Sequence, residues 1–219
     1  MKFASPRERR FTRAVPQTGA PRFLWCLVGI MAVIELILSL LDSGFFGEQN
    51  LRWTAFSLGA FWQPVFAGTV PPIYPGQPAL MFISHAFLHG GFVHLAMNSV
   101  VLLSLGKFVS VQVGAARTLL VLFLSAVAGA ACFGLLSSSP APMIGASGAV
   151  FGLIGLWQAM DFRMRRRAGL PLQPIVTAIL GLIAANIALF VILSGGLAWQ
   201  AHLGGGIVGW LSGQSFARR

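Results

Sequence analysis

Residues 137–167 read SSSPAPMIGASGAVFGLIGLWQAMDFRMRRR, and the fold turns on how this stretch is laid out. From Ala146 to Met160 the chain is apolar and rich in small residues, and Arg163, Arg165, Arg166 and Arg167 follow within a few positions. A helix rises about 1.5 Å per residue and so covers only about 22 Å over that run. A bilayer's hydrocarbon core is about 30 Å thick. If the arginines hold the C-terminal end at one membrane face, the N-terminal end stops short of the other. Ser147 then lies recessed at the first turn of a helix, and the Ser/Pro-bearing chain before it dips into the membrane without being helical. Backbone of that kind is tolerated at depth only where protein covers it or where it lines a water-filled cavity.

The rest of the chain suits a membrane. Of 219 residues, 56% are hydrophobic and 9% charged, and the mean hydropathy is +0.80. A disordered chain is poor in apolar residues, which excludes that class, and a soluble domain is about a quarter charged, which disfavours an ordinary soluble domain. Further apolar runs at Phe23–Leu41, Gly91–Leu105, Thr118–Leu136, Pro174–Leu193 and Leu197–Ser212 bring the expected count to six spans. The predicted fold is an all-α polytopic membrane protein. A basic segment occupies residues 1–22, a six-helix membrane domain residues 23–216 and a short tail residues 217–219. The nearly uncharged, aromatic stretch from Asp42 to Gly90 is expected to lie in or on the outer interface between helices 1 and 2.

The net charge of +10 has a direction. Lys2, Arg7, Arg9, Arg10, Arg13 and Arg22 precede the first run, and Lys107 and Arg117 lie between the second and third. The four arginines follow the fourth run, and Arg218 and Arg219 follow the sixth. With six spans, 14 of the 15 basic residues share one side and only Arg52 is opposite. This is the positive-inside pattern, which puts both termini in the cytoplasm of a cell (inner) membrane protein. A nucleic-acid surface would gather its charge in one exposed element, so no nucleic-acid partner is expected. The first run is longer than the roughly 7–15 apolar residues of a signal peptide, and no A-x-A-like site follows it. Cys26 and Cys132 fall at opposite depths, so no disulfide joins them; both read as buried apolar residues.

Polar side chains inside spans are costly and face the bundle interior or a water cavity. HAFLHGGFVHLAMN carries His85, His89, His94 and Asn98; GASG carries Ser147; AHLGG carries His202. On the six-span topology all lie toward the outer side. Ser147, at a helix N-terminus, has unpaired N–H groups and a positive dipole end beside it, a good place for an oxyanion. The small-xxx-small faces Gly148-x3-Gly152 and Gly205-x3-Gly209-x3-Gly213 let two helices approach closely, as a short serine needs in order to meet an imidazole. His94 and Asn98 share a helical face at i,i+4, and both donate hydrogen bonds. Of the acids Glu8, Glu35, Asp42, Glu48 and Asp161, none is placed to complete a triad, which points to a Ser147–His202 dyad. Each residue also has a plainer reading: Ser147 and the glycines as packing, the histidines as satisfied structural groups, Glu35 as a partner for a neighbouring helix.

These motifs, HxxxHxxxxHxxxN, GxSG and AHxGG in this order, resemble the rhomboid family of intramembrane serine proteases over roughly residues 23–216. The resemblance implies a minimal six-helix bacterial form. It makes Ser147 the nucleophile and His202 the general base and then acid. His94 and Asn98 become oxyanion-hole donors together with the Ser147 backbone N–H. It gives Gly145 a loop-shaping role, Gly205 a role at the helix 4/helix 6 contact, and His85 and His89 structural roles. Two positions depart from the family. Leu80-Met81 stand where many members carry Trp-Arg, and Phe151 stands where some have a Tyr stacked on the catalytic histidine. The implied activity is endopeptidase cleavage of transmembrane segments of other membrane proteins, with the lipid bilayer as surroundings and no cofactor or metal. Two alternatives stand beside it: a catalytically inactive relative that binds transmembrane helices, and a His-based metalloprotease, for which Ala86 occupies the place of the glutamate base in HAFLH.

Overall fold

The computed structural model describes residues 19–43 and 50–216. Residues 1–18, with most of the N-terminal basic segment, and the tail 217–219 lie outside the described residues, as do residues 44–49. Among the described residues the chain forms nine α-helices: α1 (Arg22–Asp42), α2 (Leu51–Gly59), α3 (Gln63–Phe66), α4 (Gln77–Ser84), α5 (Phe92–Val113), α6 (Ala115–Leu136), α7 (Ser147–Arg167), α8 (Gln173–Ile192) and α9 (Trp199–Phe216). A 3-10 turn, His85–Phe87, precedes α5. The fold is the expected all-α bundle, with six long helices at the six apolar runs. Four of them, α1, α5, α6 and α8, are long and apolar enough to cross a membrane, and the protein is a multi-pass membrane protein. By composition α7 and α9 are less apolar: α7 carries Asp161 and four arginines at its C-terminal end, and α9 carries glycine, glutamine and histidine where it packs on other helices.

Several boundaries differ from expectation. Helix α7 begins at Ser147, but it continues through the arginines to Arg167 instead of ending near Met160. Arginine, methionine and alanine are good helix formers, and cations suit a helix C-terminus. Arg165 Nε also lies 2.8 Å from Asp161 Oδ2 one turn earlier. Lys107 is within α5 instead of in a loop, because α5 runs to Val113 and α6 starts two residues later. The reversal between them is made at Gly114, whose φ of +86° suits glycine. Cys26 is exposed on the outer face of α1, not buried; Cys132 is half-buried, and both are free.

Helix α9 is wedged between α6 and α7, and glycine makes that possible. A Cβ on Gly205 would fall onto the carbonyl of Gly148, and one on Gly209 onto that of Gly152. On the other side a Cβ on Gly204 would meet the Ala128 carbonyl oxygen at 2.5 Å, and one on Gly129 that of Ala201 at 2.8 Å. Such backbone approach replaces the hydrophobic driving force that helices lack in lipid. Around this wedge Leu24, Met31, Leu102, Val109, Val121 and Leu153 form the main apolar core. Large apolar side chains point outward in number, among them Val93, Val111 and Ile192 at 76%, 71% and 73% exposure. An apolar exterior of this kind is matched to lipid. Of all the helix's residues, only Ile175 of α8 is fully buried.

The outer segment folds onto the bundle as the short helices α2 to α4. Phe61, fully buried, pairs through its backbone with Met143 in an antiparallel bridge, with N···O distances of 3.0 and 2.9 Å. Its ring lies among Phe66, Phe82 and Phe133. Arg52, the one basic residue of the outer segment, closes the assembly. Its guanidinium donates to both carboxylate oxygens of Glu35 at 2.9 and 3.0 Å, to Asp42 at 2.8 Å, to Ser39 Oγ at 3.0 Å and to the His89 carbonyl at 3.0 Å. Hydrogen bonding to Glu35 is the largest influence on Arg52, and it raises the guanidinium pKa above its ordinary value. At the Leu80-Met81 departure, Met81 is buried among apolar groups, and the cation that ties the outer segment to α1 is Arg52 of α2. Arg52→Met leaves the fully buried Glu35 carboxylate without its cation and is expected to destabilise the protein by about 3–5 kcal/mol. Adding Glu35→Gln should recover much of that loss, as read from thermal unfolding in detergent.

Candidate functional site

The chain from Ser137 to Ala146 is non-helical and held by protein, as irregular backbone in a membrane must be. Besides the Met143–Phe61 bridge, Gly145 N donates to the His85 carbonyl at 2.9 Å. His85 is itself fixed by a 3.2 Å contact from Nδ1 to the Met81 carbonyl and by edge-on packing against Phe61. The position of His85 therefore sets the height of the loop that delivers Ser147.

At Gly145 φ is +110°, and its Cα lies against the His94 ring: a Cβ there would come within 2.7 Å of Cε1 and 2.8 Å of Nε2. The same point is 3.9 Å from Asn98 Nδ2. Only glycine combines that φ with that approach. The loop thus passes directly over the His94 and Asn98 pair two residues before the half-buried Ser147. Asn98 donates one amide hydrogen to the His94 carbonyl at 3.0 Å and keeps a second. Gly90 N approaches His94 Nδ1 at 3.5 Å, the outer limit of a hydrogen bond, and His89 packs edge-on to the same ring at 5.1 Å. An Nδ1 that accepts leaves Nε2–H, on the Gly145 side, as the donor.

His202 reaches the site from α9 and is buried. Its ring stacks on Phe151 with centroids 4.1 Å apart and planes 6° from parallel. Phe151 follows Ser147 by four residues on α7, so the two share a helix face and lie one turn apart, about 5.4 Å. The imidazole therefore lies on the face of α7 that bears the serine hydroxyl. Gly205 sits at the α7/α9 contact, where a Cβ would fall onto the Gly148 carbonyl, whereas a Cβ on Gly148 would meet the Ala201 carbonyl oxygen at an ordinary 3.4 Å. The structure thus brings together Ser147, His202, His94, Asn98, Gly145, Gly148, Phe151 and Gly205. Glu35 is committed to Arg52 and to the Ser39 hydroxyl.

One residue of the cluster escaped the sequence reading. Asn186 of α8 lies with Oδ1 2.6 Å from His202 Nδ1. The signal was available, since an asparagine interrupts the most apolar of the candidate spans and polar groups in such helices mark contacts. Among the described residues no three His, Cys, Asp or Glu side chains are grouped to hold a metal ion.

The comparisons agree with this architecture. Residues 77–219, more than half of the chain, match the Rhomboid domain. The chain is similar to RHOMBOID-like protein 4 of Arabidopsis thaliana, 34% identical over 66% of this chain and 36% of that protein. It is also similar to Rhomboid protease GluP of Bacillus subtilis (strain 168), 26% identical over 94% of this chain and 37% of that protein. A third relative is Rhomboid protein 1, mitochondrial, of Saccharomyces cerevisiae (strain ATCC 204508 / S288c), 32% identical over 61% of this chain and 41% of that protein. The chain spans less than half the length of each of these relatives. With the domain matched through α4 to α9 and the helices arranged to suit it, the chain belongs to the rhomboid family.

Proposed function

We propose that the protein is an intramembrane serine endopeptidase that cleaves transmembrane segments of other membrane proteins. The reading is carried by one observation: the Phe151–His202 stack holds a buried imidazole on the Ser147 face of α7, with His94 and Asn98 across Gly145 from the serine. His202 takes the Ser147 Oγ proton as the oxygen attacks the scissile carbonyl, then returns it to the leaving amine. His94 Nε2–H, an Asn98 amide hydrogen and the free N–H groups at the start of α7 stabilise the oxyanion. Water then hydrolyses the acyl-enzyme. The substrate helix must unwind to present its carbonyl, which favours cleavage near small or helix-breaking residues.

The charge distribution supports a cell-membrane protein with cytoplasmic termini, six spans and a site opening outward. On this reading neither metal nor cofactor takes part, and a catalytically inactive helix-binding relative remains the contrasting outcome. The test is labelling of the detergent-solubilised full chain with a fluorophosphonate, followed by peptide mapping. Modification at Ser147 alone is expected, and an unlabelled chain would overturn the enzyme reading. His94→Ala is expected to lower kcat on a reconstituted transmembrane substrate by about 10²-fold, the effect of losing one oxyanion donor. Its thermal midpoint should stay near that of the parent, because the ring is half-buried at the rim of the cluster.

A further inference from the structure

Helix α8 faces the bundle with Ile175, Ala178, Leu182, Asn186 and Leu189, spaced three or four apart, and turns its other residues outward. Asn186 is the only polar side chain in that stripe, and both ends of its amide are engaged. Nδ2 donates to the Leu182 carbonyl at 2.9 Å, and Oδ1 lies 2.6 Å from His202 Nδ1. A carbonyl only accepts, so the amide nitrogen must face Leu182 and the amide oxygen must face the imidazole. An oxygen with no proton of its own can only accept from Nδ1, which therefore carries the hydrogen in the neutral ring. Nε2 is left with its lone pair.

We infer that Asn186 is a positioning residue for His202, holding the imidazole in the tautomer whose Nε2 can take the Ser147 proton; this rests on the reading of Ser147 as nucleophile. Three constraints then define the ring. Phe151 fixes its plane, Asn186 fixes its rotation and tautomer, and the α9 backbone fixes its depth. When Ser147 transfers its proton, the new hydrogen goes to Nε2 and the Nδ1–H···Oδ1 bond persists. The ring thus gains positive charge while its other nitrogen stays paired with an oriented dipole. The neutral amide occupies the place a carboxylate takes in a Ser-His-Asp triad, where its task is to hold the histidine's tautomer and orientation. The shortage of acids in the sequence is met by an amide on a helix that contributes little else to the core.

The test uses the full chain in detergent or bicelles, with Asn186→Leu removing the acceptor and Asn186→Asp retaining one. Asn186→Leu is expected to slow fluorophosphonate labelling and kcat by the same factor, at least about tenfold, with KM within about twofold of the parent. Asn186→Asp should recover most of that loss. In the ¹⁵N spectrum of histidine-labelled protein, neutral His202 should be protonated at Nδ1 in the parent and distributed over both nitrogens in Asn186→Leu. Parental labelling rates in Asn186→Leu, an Asp variant as slow as the Leu variant, or a parent His202 protonated at Nε2 would each overturn the inference. If the parent is not labelled at all, the reading of Ser147 fails, and the ¹⁵N spectrum still decides whether Asn186 sets the tautomer. The parent spectrum also decides it if Asn186→Leu does not fold.

Discussion

Ser147→Ala is expected to abolish proteolysis, lowering kcat on a reconstituted transmembrane substrate by on the order of 10⁴ to 10⁶. The size follows from chemistry. On the proposed mechanism no acyl-enzyme forms without Oγ, and the proposed oxyanion donors could then support attack by water alone. The fold should be indifferent to the change. Ser147 is the first residue of α7, Ala146 holds the N-cap position, and no side-chain hydrogen bond caps that helix. Alanine is a good helix former, so unfolding should shift by no more than about 0.5 kcal/mol. His202→Ala should give a similar loss of kcat while the serine hydroxyl is retained, and it should also lose fluorophosphonate labelling. A Ser147→Ala protein that cleaves at the parental rate would place the chemistry elsewhere.

Gly209→Leu is expected to prevent assembly of the bundle. A Cβ at Gly209 falls onto the Gly152 carbonyl, with the Gly152 carbonyl carbon at 2.6 Å and its Cα at 2.8 Å. Those are backbone atoms of a facing helix, so no rotamer change relieves the clash. Overpacking costs about 1–3 kcal/mol where side chains can yield, and this contact should reach or exceed the top of that range. The expected result is a strongly lowered thermal midpoint in detergent, or no folded protein. Gly181→Ala on α8 is the control, because nothing lies within 4 Å of a Cβ there. It should leave stability unchanged or raise it slightly. Equal loss in both variants would show that the α7/α9 approach is not what holds these helices together.

Much of the helix layout was legible in the sequence, because affinity for lipid is a local property of a run of residues. The six apolar runs became six long helices. Ser147 fell at a helix start because the Ser/Pro-bearing chain before it has no helical pattern and the run after it does. His94 and Asn98 could be paired from their spacing, and the glycine faces of α7 and α9 from theirs. Boundaries on the basic side were less legible, since Lys107 and the arginines after Met160 are good helix formers and extend helices past the apolar stretch.

What the tertiary structure alone decided is which faces meet. Lipid is as apolar as a helix core, so hydropathy does not say which side of a helix turns inward; hence Cys26 faces out although its composition suggested burial. Pairings across distant segments were equally invisible. Arg52 reaches Glu35 across 17 positions and the His89 carbonyl across 37, and Asn186 meets His202 across a helix boundary. The sequence by itself determined the family and the helical class, and it singled out the residues proposed to do the chemistry, since those follow from local pattern and motif. The three-dimensional packing determined that Glu35 belongs to Arg52, that Phe151 lies flat on His202 and that an amide completes the histidine's surroundings, because each depends on how α1, α2, α7, α8 and α9 are brought together.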